Sequence, residues 1–171
     1  MRIAICGKMA SGKTTVAQSL EGFRVLSLAG EVKRVGRELF GMKDKNRPLL
    51  QQIGMKMREI RESVWLDALI RESNKQELYG YSVVCDDVRF INEANTLKAD
   101  GWILIKLVIT DDLQKQRLQN TYPDDWEVHW NNRTDASESE VDAIPLDLFD
   151  LVIPAANDGS TVKRVIDFLL E

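Results

Sequence analysis

Eight residues near the start of the chain have the types and spacing to hold a phosphate: Gly7-Lys8-Met9-Ala10-Ser11-Gly12-Lys13-Thr14, a G-x-x-x-x-G-K-T run directly after the apolar stretch Arg2-Ile3-Ala4-Ile5-Cys6. Glycines at two of its positions let the backbone turn its N–H groups inward around phosphate oxygens. Lys13 is spaced to reach the β- and γ-phosphates of a nucleotide, and the Thr14 hydroxyl to ligate Mg²⁺. A helical run from Thr14 to Leu20 adds the positive end of its dipole. The run is a P-loop with a strand before it and a helix after it. Its candidate nucleotide contacts are Gly7, Ala10, Ser11, Gly12, Lys13, Thr14 and Thr15, and the implied ligands are a nucleotide and Mg²⁺.

A second group of the right chemistry is Asp86-Asp87-Val88-Arg89, at the end of the apolar run that starts at Tyr81. There a carboxylate can organise a metal ion or a water beside a guanidinium able to grip a phosphate oxygen with two N–H groups. Asp86 and Asp87 are both candidate metal ligands with Thr14. Alternate strand residues face opposite sides, so only one of the two acids should point directly at the P-loop. Cations gather after the second predicted strand (Lys33, Arg34, Arg37) and further on (Arg47, Arg58, Arg61). Lys33, Arg34 and Arg58 are the better placed to hold an acceptor phosphate. Charge neutralisation and positioning are what phosphoryl transfer requires. A P-loop could equally serve a GTPase, a motor ATPase or a regulator. However, the chain has no N-K-x-D guanine-reading sequence, and its 171 residues lack the extra length of a motor.

These residues need a scaffold, and the chain alternates strand and helix to provide one. Apolar runs predict strands at about 2–6, 23–28, 81–86, 102–109 and 149–153, with helical patterns between them. Continuous rather than alternating apolar runs predict a buried parallel sheet of five strands with helices on both sides, which binds ligands at the strands' carboxyl ends. The expected fold is α/β, a three-layer P-loop NTPase domain spanning 1–171. A helical substrate-binding insertion is expected at about 41–72, where Leu49, Leu50, Ile53 and Met57 recur at helical spacing. A polar stretch at about 120–142, with Pro123, Trp126 and Trp130, is too long for an ordinary connector and predicts a lid. A closed lid could bring Arg117 or Arg133 against the transferring phosphate and exclude water. His129 reads as a surface or lid-packing residue, because transfer to a phosphate needs no general base. Asn157-Asp158-Gly159-Ser160 could frame the adenine or cap the last helix.

Four segments carry a resemblance to a known family: Ser27-Leu28-Ala29-Gly30-Glu31-Val32-Lys33, the stretch from Leu49 to Arg58, Asp87-Val88-Arg89-Phe90-Ile91-Asn92-Glu93-Ala94, and Ala136-Ser137-Glu138. Together they resemble the bacteriophage-type deoxynucleoside monophosphate kinases, with their F-A-x-P-L-K, L-L-Q-x-x-G-x-x-x-R and D-V-R-F-x-N-E elements. The resemblance implies transfer of the γ-phosphate of ATP, with Mg²⁺, to a deoxynucleoside monophosphate. It places substrate-side roles on Lys33, Arg58, Trp65, Arg89 and Glu93, and it favours Asp87 over Asp86 as the acid facing the P-loop. Gly30-Glu31-Val32 departs from the family's D-P-L, and Ala136 from its histidine or proline. Gly30 to Arg34 is also similar to the G-D-x-x-R turn of adenylate kinase-like enzymes, which makes Arg34 a monophosphate ligand. Gln116-Arg117-Leu118 is similar to the lid-arginine context of nucleoside monophosphate kinases, which makes Arg117 the preferred catalytic cation. Phosphomevalonate kinase, dephospho-coenzyme A kinase and a nucleotide-sensing module are the competing readings.

Composition narrows the partners. A formal net charge of −4 gives no general attraction to nucleic-acid backbones or anionic membranes, so the expected partners are small-molecule nucleotides. Cys6 and Cys85 lie in apolar runs without metal-ligand spacing and read as buried free thiols of a reducing compartment, hence a cytoplasmic location, the host's if the chain is phage-encoded. The first apolar run, about five residues long, is too short for a signal peptide or a membrane span. A homodimer through the insertion helices stays open.

Overall fold

The computed structural model describes residues 1–131 and 136–171, without the side chains at 136 and 137. Among these residues the chain runs β1 (Arg2–Gly7), α1 (Lys13–Ser19), β2 (Phe23–Leu26), α2 (Leu28–Phe40), α3 (Arg47–Ile60), α4 (Val64–Leu78), β3 (Ser82–Val88) and α5 (Ile91–Ala99). It continues through β4 (Ile103–Val108), α6 (Asp111–Thr121), α7 (Trp126–Asn131), α8 (Ala136–Ala143), β5 (Leu151–Pro154) and α9 (Ser160–Leu170). The five strands form one sheet in the order β2-β3-β1-β4-β5, and every pair is parallel. The strand that feeds the P-loop is therefore central. Asp86 and Asp87 end the strand on one side of it, and Lys106 lies in the strand on the other.

Period-two alternation along β1 divides the core between the two faces of the sheet. Ile3 and Ile5 share a buried cluster with Val16 and Ala17 of α1 and Val165 of α9. Ala4 and Cys6 join Leu28 of α2, Trp65 and Leu69 of α4, and Leu97 of α5 on the opposite face. With helices on both sides, no strand position in the centre can be polar without cost, which explains the unbroken apolar runs. Burial also raises the thiol pKa values, Cys6 to about 11 and Cys85 well above the ordinary thiol range, so both are inert core residues.

Side-chain caps start the helices that position the site. Ser27 accepts from the Gly30 N–H at 3.0 Å to open α2, and Asn46 accepts from Leu49 at 3.1 Å, with a proline in the first turn, to open α3. α3 and the first part of α4 cover the stretch expected at about 41–72, and the two helices pack on the α2 side of the sheet through Ile53, Trp65 and Leu69.

The polar stretch predicted as a lid is fixed to the sheet at its far end. Lys106 of β4 is buried and donates to the carbonyls of Val141 at 3.0 Å and Ile144 at 3.4 Å, at and beyond the carboxyl end of α8 where a cation is favoured. Lys8 pairs with Asp142 at 2.6 Å. Nearer α6, Tyr122 packs on His129 with ring centroids 4.0 Å apart, and Lys115 lies over Trp126 at 5.2 Å. Among the described residues no helix is long and apolar enough to cross a membrane.

Candidate active site

The P-loop conformation is set by close approach. A Cβ on Gly7 would meet the Leu107 carbonyl oxygen at 2.7 Å and Ser11 Oγ at 2.6 Å, so the loop's first position admits no side chain. Ala10 has φ 61°, a left-handed conformation that costs a non-glycine residue about 1–2 kcal/mol. It is held there by Arg117, whose Nη1 donates to the Ala10 carbonyl at 2.8 Å. Ser11 Oγ is buried without a hydrogen-bond partner among the described residues. It is a ready donor for a phosphate oxygen, so the loop fits a nucleotide's phosphates.

Lys13 is folded back on its own loop, with Nζ donating to the carbonyls of Gly7 and Lys8 at 2.7 Å each. Burial, and then the charge of Arg89, lower its pKa from 10.5 to about 8, while Glu138 pulls the other way. A phosphate needs the ammonium form, so nucleotide affinity is expected to be highest below about pH 8 and to weaken by up to about tenfold per unit above it. Calorimetry in buffers of different ionisation enthalpy should show proton uptake on binding above that pH. In the window between about 8 and 10.5 the unfolded chain holds this proton and the folded chain does not. Lys13's contribution to the stability of the nucleotide-free protein is therefore expected to rise with pH as affinity falls.

Asp86, and not Asp87, meets the P-loop. Thr14 Oγ1 donates to Asp86 Oδ2 at 2.6 Å. Strand alternation explains the correction: Val84 packs with α1, so Asp86, two residues on, faces the start of α1. Asp87 lies on the α2 face with Val83 and Cys85, and caps that helix. Its carboxylate accepts from Ser27 Oγ at 2.7 Å, Leu28 N at 3.0 Å and Ala29 N at 2.9 Å. An extra residue in β3 opposite β1, where Ala4 pairs with Cys85 but Cys6 with Val88, lets the strand turn its next side chain, Val88, back into the core. A hydroxyl beside a carboxylate suits an oxygen-seeking cation. Among the described residues no trio of His, Cys, Asp and Glu could hold a metal. Thr14 and Asp86 would thus supply at most two protein oxygens, and Mg²⁺ held there would take the rest of its shell from nucleotide oxygens and water.

Two cavities open around this centre. One, of about 530 Å³, is lined by the P-loop from Ala10 to Thr15, by Arg117 and by Asn157. Arg117 donates through Nε to Asn157 Oδ1 at 3.0 Å and through Nη2 to the Ala156 carbonyl at 2.6 Å. The side chain expected at the transferring phosphate is thus engaged by the loop before α9. There it braces this cavity, because it reaches from α6 to that loop. Asn157 belongs to this cavity rather than to the cap of α9, where Asp158 accepts from Ser160 N at 3.0 Å. Arg133 lies outside the described residues.

The second cavity, of about 440 Å³, is lined by Lys33, Arg47, Arg58, Arg89 and the ring of Phe90. Glu93, in the first turn of α5, shapes its floor by accepting from the N–H groups of Arg89 at 2.9 Å and Phe90 at 3.1 Å. Two expected members are elsewhere. Arg34 points along α2 and pairs with Glu31 at 3.0 Å and Glu38 at 2.6 Å, since carboxylates three and four residues away compete for it. Trp65 is a core residue, 4% exposed, whose Nε1 donates to the Gly54 carbonyl at 3.2 Å and pins α4 to α3. Trp65→Phe is expected to cost about 1–2 kcal/mol in a thermal melt without a selective change in any substrate's KM.

The site also holds residues absent from the sequence-based assignment. Glu138 of α8, 2% exposed, accepts from Arg89 Nη1 at 2.7 Å and from the Met9 N–H at 2.7 Å. Gln114 of α6 donates to the Met9 carbonyl at 2.9 Å. The segment Ala136-Ser137-Glu138 was the available signal for Glu138, but only tertiary structure brings it to the P-loop.

No family model matches the chain, and no curated protein matches it. Solved structures do. TT1252 from Thermus thermophilus is 17% identical, with a TM-score of 0.59 over 99% of this chain and 96% of that one. A dephospho-CoA kinase from Campylobacter jejuni is 15% identical, with a TM-score of 0.58 over 99% and 94%. A shikimate kinase from Aquifex aeolicus is 16% identical, with a TM-score of 0.53 over 99% and 96%. At such identities what is shared is architecture, and the chain has the α/β fold of the P-loop kinases.

Proposed function

We propose that the chain is a kinase that moves the γ-phosphate of ATP onto the phosphate of a deoxynucleoside monophosphate, giving the diphosphate and ADP. The observation that carries the reading is the second cavity, where four cations, Lys33, Arg47, Arg58 and Arg89, converge and Arg89 is joined through Glu138 to Met9 of the P-loop. A hydroxyl acceptor needs a base to take its proton, whereas a phosphate acceptor is already an anion and needs cations. The carboxylates at this cavity are committed to other work: Asp87 caps α2, and Glu93 holds the turn into α5. Phe90 offers a ring face and Gln51 an amide, groups suited to a nucleobase. The deoxynucleotide choice rests on the four resembling segments.

In this reading the P-loop N–H groups and Ser11 hold the donor phosphates, and Arg117 and Asn157 brace the cavity for the rest of the nucleotide. Lys13 leaves the Gly7 and Lys8 carbonyls for the phosphate oxygens. Thr14 and Asp86 would hold Mg²⁺, which would neutralise the donor's phosphate charge. Arg89 grips the acceptor phosphate, with Lys33 and Arg58 at its sides.

The test is ADP release with the full set of deoxy- and ribonucleoside monophosphates, run beside dephospho-coenzyme A, phosphomevalonate and shikimate. Turnover with at least one deoxynucleoside monophosphate is the expected result. Release with none of them, or only with a hydroxyl acceptor, overturns the reading.

A further inference from the structure

Met9 of the P-loop is held from both sides of its backbone, its carbonyl by Gln114 of α6 and its N–H by Glu138 of α8. The same Glu138 carboxylate spends its other oxygen on Arg89. Glu138 is 2% exposed and Arg89 32%, so the contact is anchored at the carboxylate end while the guanidinium reaches into the cation-lined cavity. Among the described residues, Arg89 Nε and Nη2 carry no hydrogen bond and remain for a ligand. Lys13 and Arg89 are close enough to repel each other, and Glu138 offsets that repulsion. Neighbouring contacts fix α8 at this height: Asp142, one turn on, pairs with Lys8, and Lys106 holds the helix's carboxyl end.

We infer that Glu138 is the positioning residue joining the two halves of the site. One carboxylate oxygen aims the Arg89 guanidinium and the other fixes the Met9 N–H, so that an acceptor phosphate on Arg89 lies in line with the donor phosphates in the P-loop. This inference rests on the proposed kinase reading for its kinetic consequence and on geometry alone for the coupling between Arg89 and the P-loop. A neutral amide in place of Glu138 can accept one of the two hydrogen bonds, but it presents N–H groups to the other donor. Deleting the negative charge by itself tightens anion binding, so misalignment and simple charge removal act in opposite directions.

The experiment uses Glu138→Gln, Arg89→Lys and the double variant, with thermal melts of each. Glu138→Gln is expected to fold and to lower kcat about ten- to a hundredfold without weakening ATP binding. In the Arg89→Lys background it should add little, because the group it aims is gone. A second readout needs no acceptor. ADP is titrated into ¹⁵N-labelled protein while the Met9 amide and the Arg89 side-chain N–H signals are followed. In the unmutated chain both should shift along one binding curve. In Glu138→Gln the Met9 amide should still respond and Arg89 should not. An Arg89 signal that follows ADP equally in both chains, or kinetic effects that add fully in the double variant, overturns the inference. If no nucleoside monophosphate is phosphorylated yet the two signals move together only when Glu138 is present, the kinase reading fails and the coupling stands.

Discussion

Lys13→Ala is expected to abolish measurable phosphoryl transfer, with a loss of about a hundred- to a thousandfold or more, while the protein stays folded. The size follows from position. Lys13 is the P-loop cation that lines the first cavity, whereas Lys8, the loop's other cation, is paired with Asp142. The fold should tolerate the change because the ammonium is held at a desolvation cost, seen in its lowered pKa, and its two hydrogen bonds go to its own loop's carbonyls. Removing it gives up those bonds but also relieves the buried charge, so the melting temperature should move by only a few degrees. A coupled ADP-release assay beside a thermal melt decides the matter, and substantial remaining turnover would sink the assignment.

The second large effect concerns Arg89. Arg89→Lys and Arg89→Ala are both expected to raise the KM of the acceptor, with a loss of about ten- to a hundredfold in kcat/KM for that substrate and little change in ATP affinity. Lysine keeps the charge but is a single point donor, and it cannot hold Glu138 and a phosphate with the fixed fork that guanidinium provides. The competing role, Arg89 as a partner of Asp86 or Asp87 that merely braces the strand end, finds no contact. The ion pair is with Glu138, and the two aspartates bond to Thr14 and to the start of α2. If stability or ATP affinity falls with the acceptor's KM unchanged, Arg89 is a structural residue after all.

The parts of this site that were legible in the sequence are those whose geometry is local. Gly7 to Thr14 follows a strand and opens a helix, so the motif can be read within a dozen residues, although Leu107, Gln114, Arg117 and Glu138 fix its conformation. The apolar strand runs announced a sheet covered on both faces. Strand alternation required that only one of Asp86 and Asp87 face the P-loop. Choosing the right one needed the further fact that Val84 lies on the α1 face, which a buried strand apolar on both sides conceals. Arg117 was recognisable as a cation near the nucleotide, but its direction is set by the Ala156 and Asn157 loop some 40 residues away. Arg34 was misplaced because Glu31 and Glu38, its helical neighbours, compete for it. Trp65 was given a substrate-side role by the family resemblance alone, yet its ring fills the core and its Nε1 pins α4 to α3. Glu138 and Gln114 reach Met9 across separations of 129 and 105 residues, a distance at which no local pattern speaks.

The central place of β1 sets the order in which this molecule can fold. Ile3 pairs with Val84 on one side and Ile103 on the other, so this strand, buried from Ile3 to Gly7, waits about 80 and then about 100 residues for its neighbours. At a synthesis rate of roughly 5–20 residues per second, that leaves it unpaired for seconds. Such long loops are entropically costly to close, and parallel pairing of this kind slows folding. The loop that follows β1 inherits the delay, because Gly7 packs against Leu107, and Met9 and Ala10 are held by residues beyond position 110. Refolding should therefore show sheet signal well before nucleotide binding returns, and a ligand that needs the finished P-loop will report the last step of folding rather than the first.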